Sequence, residues 1–129
     1  MIRETTIDSR FMTSRDETAP MTLDEYPAAV DDLDPAEGAV ETAELVVTDD
    51  VLVKAFALGP DAELEPHDHP NSTNVFHVLE GTVTVVRGDD SESVEAPGVV
   101  HHERGDVHGA RNETDERVVF TASLCPLPS

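Results

Sequence analysis

Short runs in which β-branched and apolar residues alternate with polar ones dominate the chain from residue 43 onward. Two such runs flank Asp49 and Asp50, which predicts a hairpin. Glycine, proline and aspartate turn signals separate the later runs, which predict strands at 82–87, 93–96, 99–103, 107–112 and 117–124. No window shows a helical period. The pattern therefore predicts an all-β domain, either a small barrel or a sandwich.

The first 42 residues differ from the rest. They carry eleven acidic and three basic residues, and their apolar positions follow no period of two or 3.6. We predict an irregular, acidic N-terminal arm at 1–42, in which Leu23, Tyr26, Pro27 and Val30 pin a short piece to the body. A barrel at 43–125 and a C-terminal tail at 126–129 complete the predicted organisation.

Charge excludes several classes of protein. The 129 residues suit one domain, and 28 acidic against 8 basic residues leave a formal net charge of −20. Such a chain is repelled by phosphate backbones and by anionic membranes, so we expect neither nucleic-acid nor membrane partners. The single cysteine, Cys125, excludes an internal disulfide framework. The first residues lack the apolar core of a secretory signal, which makes the cytoplasm the expected location.

The acidity is accompanied by a near absence of lysine, since Lys54 is the only one. Self-repulsion opposes compaction in dilute salt, and molar salt screens it. We interpret this composition as a halophilic type, that of a protein from a high-salt cytoplasm. This composition indicates the salt concentration in which the protein works and carries no information about its activity.

Histidines supply the candidate chemistry, and all six lie in the second half of the chain. His67 and His69 are two residues apart, so on an extended backbone both side chains point to one face. Two imidazoles placed in this way can bind one metal ion. A pair of this kind is by itself a weak signal, because solvated histidine pairs are common.

The surrounding residues resemble the two motifs of the cupin superfamily. In the first motif, His67 and His69 match the paired histidines and Gly81 matches the closing glycine, while Gly59 lies two residues further upstream than the pattern asks. In the second motif, residues 103–112, the matching positions are Gly105, His108 and Asn112, and Glu103 replaces a proline. The resemblance covers roughly residues 43–124.

The resemblance implies a double-stranded β-helix, the jelly-roll barrel of the cupins, that holds a metal ion inside. It implies His67, His69 and His108 as ligands, with Asn74 at the position where the family usually has glutamate. A neutral amide is a poorer ligand than a carboxylate and leaves the full charge of a divalent ion on the site. Imidazole ligands favour iron, zinc, nickel, copper or manganese over magnesium or calcium. The alternative is that Asn74 marks a site that has lost its metal.

His101 and His102 are candidate catalytic residues. Because they are adjacent in a predicted strand, one side chain points inward and the other outward. The inward imidazole could move protons, since histidine titrates near neutral pH. The alternative is that both are polar surface residues.

Three functions remain open. The first is a small metal-dependent enzyme of the dioxygenase, isomerase or decarboxylase type, acting on a small polar or carbonyl-bearing molecule. The second is a non-catalytic barrel that binds a sugar or an organic acid, and the third is a structural barrel without chemistry. Because unpaired strand edges are commonly covered by a second copy, we also expect a homodimer.

Overall fold

The structure is a computed structural model that describes residues 22–128. A short helix, α1 (Glu25–Asp31), precedes nine strands. The strands are β1 (Val40–Val47), β2 (Leu52–Leu58), β3 (Glu63–His67), β4 (Thr73–Glu80), β5 (Thr82–Arg87), β6 (Asp90–Glu95), β7 (Gly98–His102), β8 (His108–Arg111) and β9 (Val118–Cys125). The all-β prediction is confirmed. No helix in these residues has the length and apolar character that crossing a bilayer requires.

The strands form two antiparallel sheets that face each other as a jelly-roll barrel. The five-stranded sheet has the order β1-β2-β9-β4-β7, and the four-stranded sheet has the order β3-β8-β5-β6. Inward-facing residues of both sheets make one apolar core, whose largest members are Phe76, Phe120 and Leu58. Polar residues take the buried positions near the histidines, among them Asn74, His102 and His108.

The outer face of the five-stranded sheet carries a second apolar cluster. Along β2, Phe56 and Leu58 point into the barrel, whereas Ala55 and Ala57 point outward. These small outward side chains leave room for two larger residues. Val30, in the last turn of α1, and Leu33, which follows the helix, pack against them. The segment that contains α1 therefore covers one side of the barrel.

The N-terminal segment is more regular than the sequence pattern indicated. The structure has a helix at Glu25–Asp31, and the first strand begins at Val40 rather than at 43. Val30 packs on the barrel as predicted, but Leu23 is exposed, and Leu33 takes the main anchoring role. A seven-residue helix is too short to show a helical period in the sequence. The predicted arm at 1–21 lies outside the described residues, and the division of the chain at residue 43 stays a prediction.

Two predicted turns shape the barrel. The hairpin between β1 and β2 is closed by the Thr48 hydroxyl, which accepts hydrogen bonds from the backbone N–H groups of Asp50 and Val51. Gly81 alone links β4 to β5, with φ of 78°. Only glycine adopts this conformation without strain, and the sharp turn passes the chain from the five-stranded to the four-stranded sheet.

Candidate metal centre

Three histidines converge at one end of the barrel. One side-chain nitrogen from each of His67, His69 and His108 lies within 4.8 Å of the others. His67 ends β3 and His108 begins β8, and the two are paired across these antiparallel strands. His69 lies just beyond β3, in the loop that leads to β4. The distances suit three ligands of a single ion, which is the chemistry expected of imidazoles at this spacing.

Backbone carbonyls fix the orientation of two of these rings. The Nδ1 atom of His67 lies 2.8 Å from the carbonyl oxygen of Glu65, and that of His108 lies 2.8 Å from the carbonyl oxygen of Asp106. A carbonyl only accepts, so each Nδ1 carries the proton and each Nε2 keeps its lone pair. Outer hydrogen bonds of this kind set the tautomer that a metal ion needs.

Loop hydrogen bonds hold His69 in place. Its backbone carbonyl accepts hydrogen bonds from Gly105 N–H at 3.1 Å and from Ser72 N–H at 3.4 Å. The buried Ser72 hydroxyl in turn donates to the carbonyl of Pro126 at 2.8 Å. The loop before β4, the loop before β8 and the C-terminal segment therefore meet around this ligand.

Asn74 borders the triad. It is 2% exposed, and its amide Nδ2 donates to His108 Nε2 over 2.8 Å. Its Oδ1 atom is buried with no hydrogen-bond partner among the described residues. An orphaned amide oxygen beside three histidines fits a polar or metal ligand, because rotating the amide by half a turn directs that oxygen into the site.

His102 is the inward member of the adjacent pair. Its ring is fully buried and stacks on His108, with the ring centroids 4.2 Å apart and the planes inclined by 7°. Its other neighbour is Phe76, whose ring approaches edge-on with the centroids 4.6 Å apart. His101 is exposed on the opposite face of β7. Of the two predicted catalytic histidines, the structure therefore brings only His102 to the triad, because alternation along the strand turns His101 to solvent.

Burial favours the uncharged imidazole at His69, His102 and His108. It is the main cause that lowers the pKa of His69 and of His108, and the mutual proximity of the three histidines lowers both further. Burial, then the neighbouring His108 and Arg87, lowers the pKa of His102 to about 4. The neutral form is the one that binds a metal ion or accepts a proton, so the site is ready for either role at neutral pH.

The remaining candidates lie elsewhere. His77 is exposed on the outer face of β4, and Cys125 is exposed at the end of β9. One oxygen of the Asp106 carboxylate accepts a hydrogen bond from the Glu103 N–H at 3.1 Å. Sequence reasoning missed the carbonyls of Glu65 and Asp106, because no side-chain pattern reveals a backbone acceptor.

The fold and the triad together define the class of the protein. The family model for the cupin domain matches residues 55–124, more than half of the chain. The chain therefore belongs to the cupin domain family, as the two sequence motifs indicated. No curated protein matches the chain.

Solved structures from several organisms share the fold. A conserved protein with a double-stranded β-helix domain from Klebsiella pneumoniae is 24% identical, with a TM-score of 0.69 over 82% of this chain and 88% of that one. KdgF from Halomonas sp. is 14% identical, with a TM-score of 0.69 over 86% and 96% of the two chains. A predicted oxalate decarboxylase from Thermotoga maritima is 20% identical, with a TM-score of 0.64 over 68% and 81%. At these identities the similarity establishes the fold and leaves the reaction open.

Proposed function

We propose that this cupin is a small metal-dependent enzyme that acts on a small polar or carbonyl-bearing molecule. The observation that carries the proposal is the convergence of three imidazoles within 4.8 Å, two of them with Nδ1 bound to a backbone carbonyl so that Nε2 keeps its lone pair. Histidines on a protein surface do not require hydrogen bonds from Nδ1 to backbone carbonyls. Structures that bind a transition metal commonly have them.

His67, His69 and His108 would hold one divalent iron, zinc, nickel, copper or manganese ion, and Asn74 would add its amide oxygen. An ion bound by neutral ligands keeps its full charge and polarises a substrate oxygen. The protein orients those ligands, because the three rings come from two strands of one sheet and from a connecting loop.

His102 would move the proton. Its imidazole is uncharged at neutral pH, both ring nitrogens lack a partner among the described residues, and its ring contacts a proposed ligand. The neutral imidazole is the form that can accept a proton from a substrate in isomerase or decarboxylase chemistry. His101, on the outside of the barrel, has no part in this proposal.

A second candidate is a barrel that binds its ligand without a metal. The observation in its favour is the hydrogen bond from Asn74 Nδ2 to His108 Nε2, which satisfies the nitrogen that an ion would occupy. In that case the triad binds a polar small molecule directly. Metal content separates the two candidates.

The test is metal analysis of untagged protein by plasma mass spectrometry, in molar KCl, for the native chain and for His67→Ala and His108→Ala. We expect about one transition metal per chain in the native protein and a loss of at least about tenfold in both variants, because each removes one ligand. His77→Ala is the matched control, since His77 is an exposed histidine on the outer face of β4.

Native protein that stays empty after incubation with zinc, iron, nickel and manganese contradicts the enzyme proposal and favours the metal-free barrel. Metal that persists in His67→Ala and His108→Ala also contradicts it, because the ion is then bound elsewhere.

A further inference from the structure

A cavity opens between the four-stranded sheet and the loop that precedes β8. Its volume is about 470 Å³, which suits a small molecule. Its wall includes apolar Val85 and five polar or charged residues, namely Arg87, Asp90, Ser91, Glu92 and Asp106. Nothing in the metal site described above uses these side chains.

Strand register places the cavity next to the proposed metal ligands. Arg87 on β5 is paired with His108 on β8, and Val85 is paired with the core residue Ala110. Directly paired residues of antiparallel strands share a face, so Arg87 extends on the inward face beside His108. Asp106 lies in the same wall, and its carbonyl accepts the hydrogen bond from His108 Nδ1. A molecule in this cavity would therefore lie close to His108, one of the three proposed metal ligands.

The guanidinium of Arg87 keeps hydrogen-bond donors available for a ligand. Three arginine–carboxylate pairs occur in the described part of the chain, and those of Arg117 and Arg111 are hydrogen-bonded at 2.8 and 3.2 Å. The shortest approach of Arg87 to a carboxylate is 3.7 Å, to Glu92, which exceeds a hydrogen-bond distance. A guanidinium offers five donors and binds a carboxylate with two parallel hydrogen bonds, so Arg87 can take a carboxylate from a ligand.

The rest of the wall selects against a simple anion. The wall contains three carboxylates, those of Asp90, Glu92 and Asp106, and one guanidinium, so it has an excess of negative charge. Ionised carboxylates only accept hydrogen bonds, and hydroxyls are ligand groups that donate to them without adding negative charge. One cation and several acceptors together match a molecule that has one carboxylate and several hydroxyl groups.

We infer that the cavity binds a small hydroxylated carboxylic acid, with its carboxylate on Arg87 and its hydroxyls on Asp90, Glu92 and Asp106. The inference deepens the proposed function and rests on it for turnover, because the acid would then be the substrate placed beside the metal. Binding itself requires only the cavity.

The test is calorimetric titration with three matched sets of probes. The first set is D-glucuronate, D-glucose and cyclohexanecarboxylate; the second is D-gluconate, D-sorbitol and hexanoate; the third is D-erythronate, erythritol and butanoate. Each set contains a hydroxy acid, a molecule with the hydroxyls alone and one with the carboxylate alone. Molar KCl screens the general repulsion between the acidic protein and the anions.

We expect at least one hydroxy acid to bind about tenfold or more tightly than both of its counterparts, because only it satisfies the guanidinium and the carboxylates together. Arg87→Gln should weaken that binding about tenfold or more, and Arg87→Lys should weaken it less. Arg104→Gln is the matched control, since Arg104 is an exposed arginine outside the cavity wall.

Three outcomes overturn the inference: no hydroxy acid binds, the carboxylate alone binds as well as the hydroxy acid, or Arg87→Gln binds like the native chain. The metal content of Arg87→Gln is measured in the same samples and should equal that of the native protein. Native protein that binds the acid but holds no metal removes the proposed enzyme and leaves the binding site. Native protein that holds metal but binds no hydroxy acid removes only the inference.

Discussion

At the scale of single residues, His102 combines two features that lower the stability of a fold, namely burial and the lack of hydrogen-bond partners. It is fully buried, and neither ring nitrogen has a partner among the described residues. Burial without hydrogen bonds disfavours the charged form, which is why the pKa of this imidazole is lowered to about 4. The same burial that keeps His102 uncharged should also make the fold sensitive to acid.

We predict that His102→Phe makes the protein less sensitive to acid. The unfolded chain takes up a proton near the ordinary histidine pKa of 6.5, whereas native His102 does so only near 4. Between these values the unfolded state binds more protons, so stability falls as the pH falls, by up to about 1.4 kcal/mol per pH unit from this group. Above pH 6.5 the contribution of His102 to pH dependence disappears. Phenylalanine keeps a ring against His108 and cannot titrate.

The measurement is urea unfolding of metal-free protein between pH 7.5 and 4.5 in constant salt. His101→Phe, a change at the exposed neighbour, is the control and should follow the native curve. Equal pH dependence of the native protein and His102→Phe would contradict the prediction. His69 and His108 also have lowered pKa values and contribute equally to both curves, so the difference between the curves isolates His102.

At the scale of elements, the pairing of β3 with β8 brings two of the three histidines together. Gly109 follows His108 in β8, and a Cβ atom at this position would lie 2.7 Å from the carbonyl oxygen of Leu64 in β3. Real Cβ atoms do not approach a backbone oxygen so closely. The absence of a side chain at Gly109 therefore lets the two strands approach each other, and the spacing of His67 and His108 depends on it.

We predict that Gly109→Ala separates β3 from β8 and weakens metal binding about tenfold or more, with a loss of stability of about 1–3 kcal/mol from the steric conflict. Isothermal titration with zinc and urea unfolding measure the two effects. Ser93→Ala, on the neighbouring part of the same sheet in β6, is exposed and should change neither quantity. Gly109→Ala with native zinc affinity would show that the strand spacing does not set the ligand geometry.

At the scale of the whole molecule, charge sets the conditions of folding. The formal net charge is −20, and the chain has one lysine. Arg117 shows how the few cations are used. Its guanidinium donates to both carboxylate oxygens of Glu80, each at 2.8 Å, and to the carbonyl of Leu33, so it holds the segment after α1 against the barrel. The homodimer expected from the strand edges and the cytoplasmic location both stay predictions.

We predict that the fold needs salt. Unpaired acidic groups repel one another over about 30 Å at 0.01 M salt and over only about 3 Å at 1 M. Thermal unfolding followed by circular dichroism should give a midpoint higher by about 10 °C in 2 M KCl than in 10 mM KCl, which corresponds to about 2 kcal/mol for a domain of this size. Sorbitol at the same osmolarity is the control for solvent exclusion. A spectrum and midpoint that do not change between the two salt concentrations would contradict the prediction.

The sequence alone determined the strands, the class of fold and most of the candidate ligands. Alternation of side chains along a strand is a local property, so the pattern placed Thr82–Arg87 in a strand and predicted that one of His101 and His102 points inward. The motif residues His67, His69 and His108 also come together as predicted, because their spacing reflects the barrel that positions them.

Tertiary structure decided what local pattern does not contain. Which of His101 and His102 faces the core depends on how β7 pairs with β4, and the stacking of His102 on His108 joins strands from opposite sheets. The contact of Leu33 with the outer sheet and the position of Arg87 beside His108 likewise join residues distant in the chain. Such contacts exist only once the two sheets have paired and closed, so no window of sequence records them.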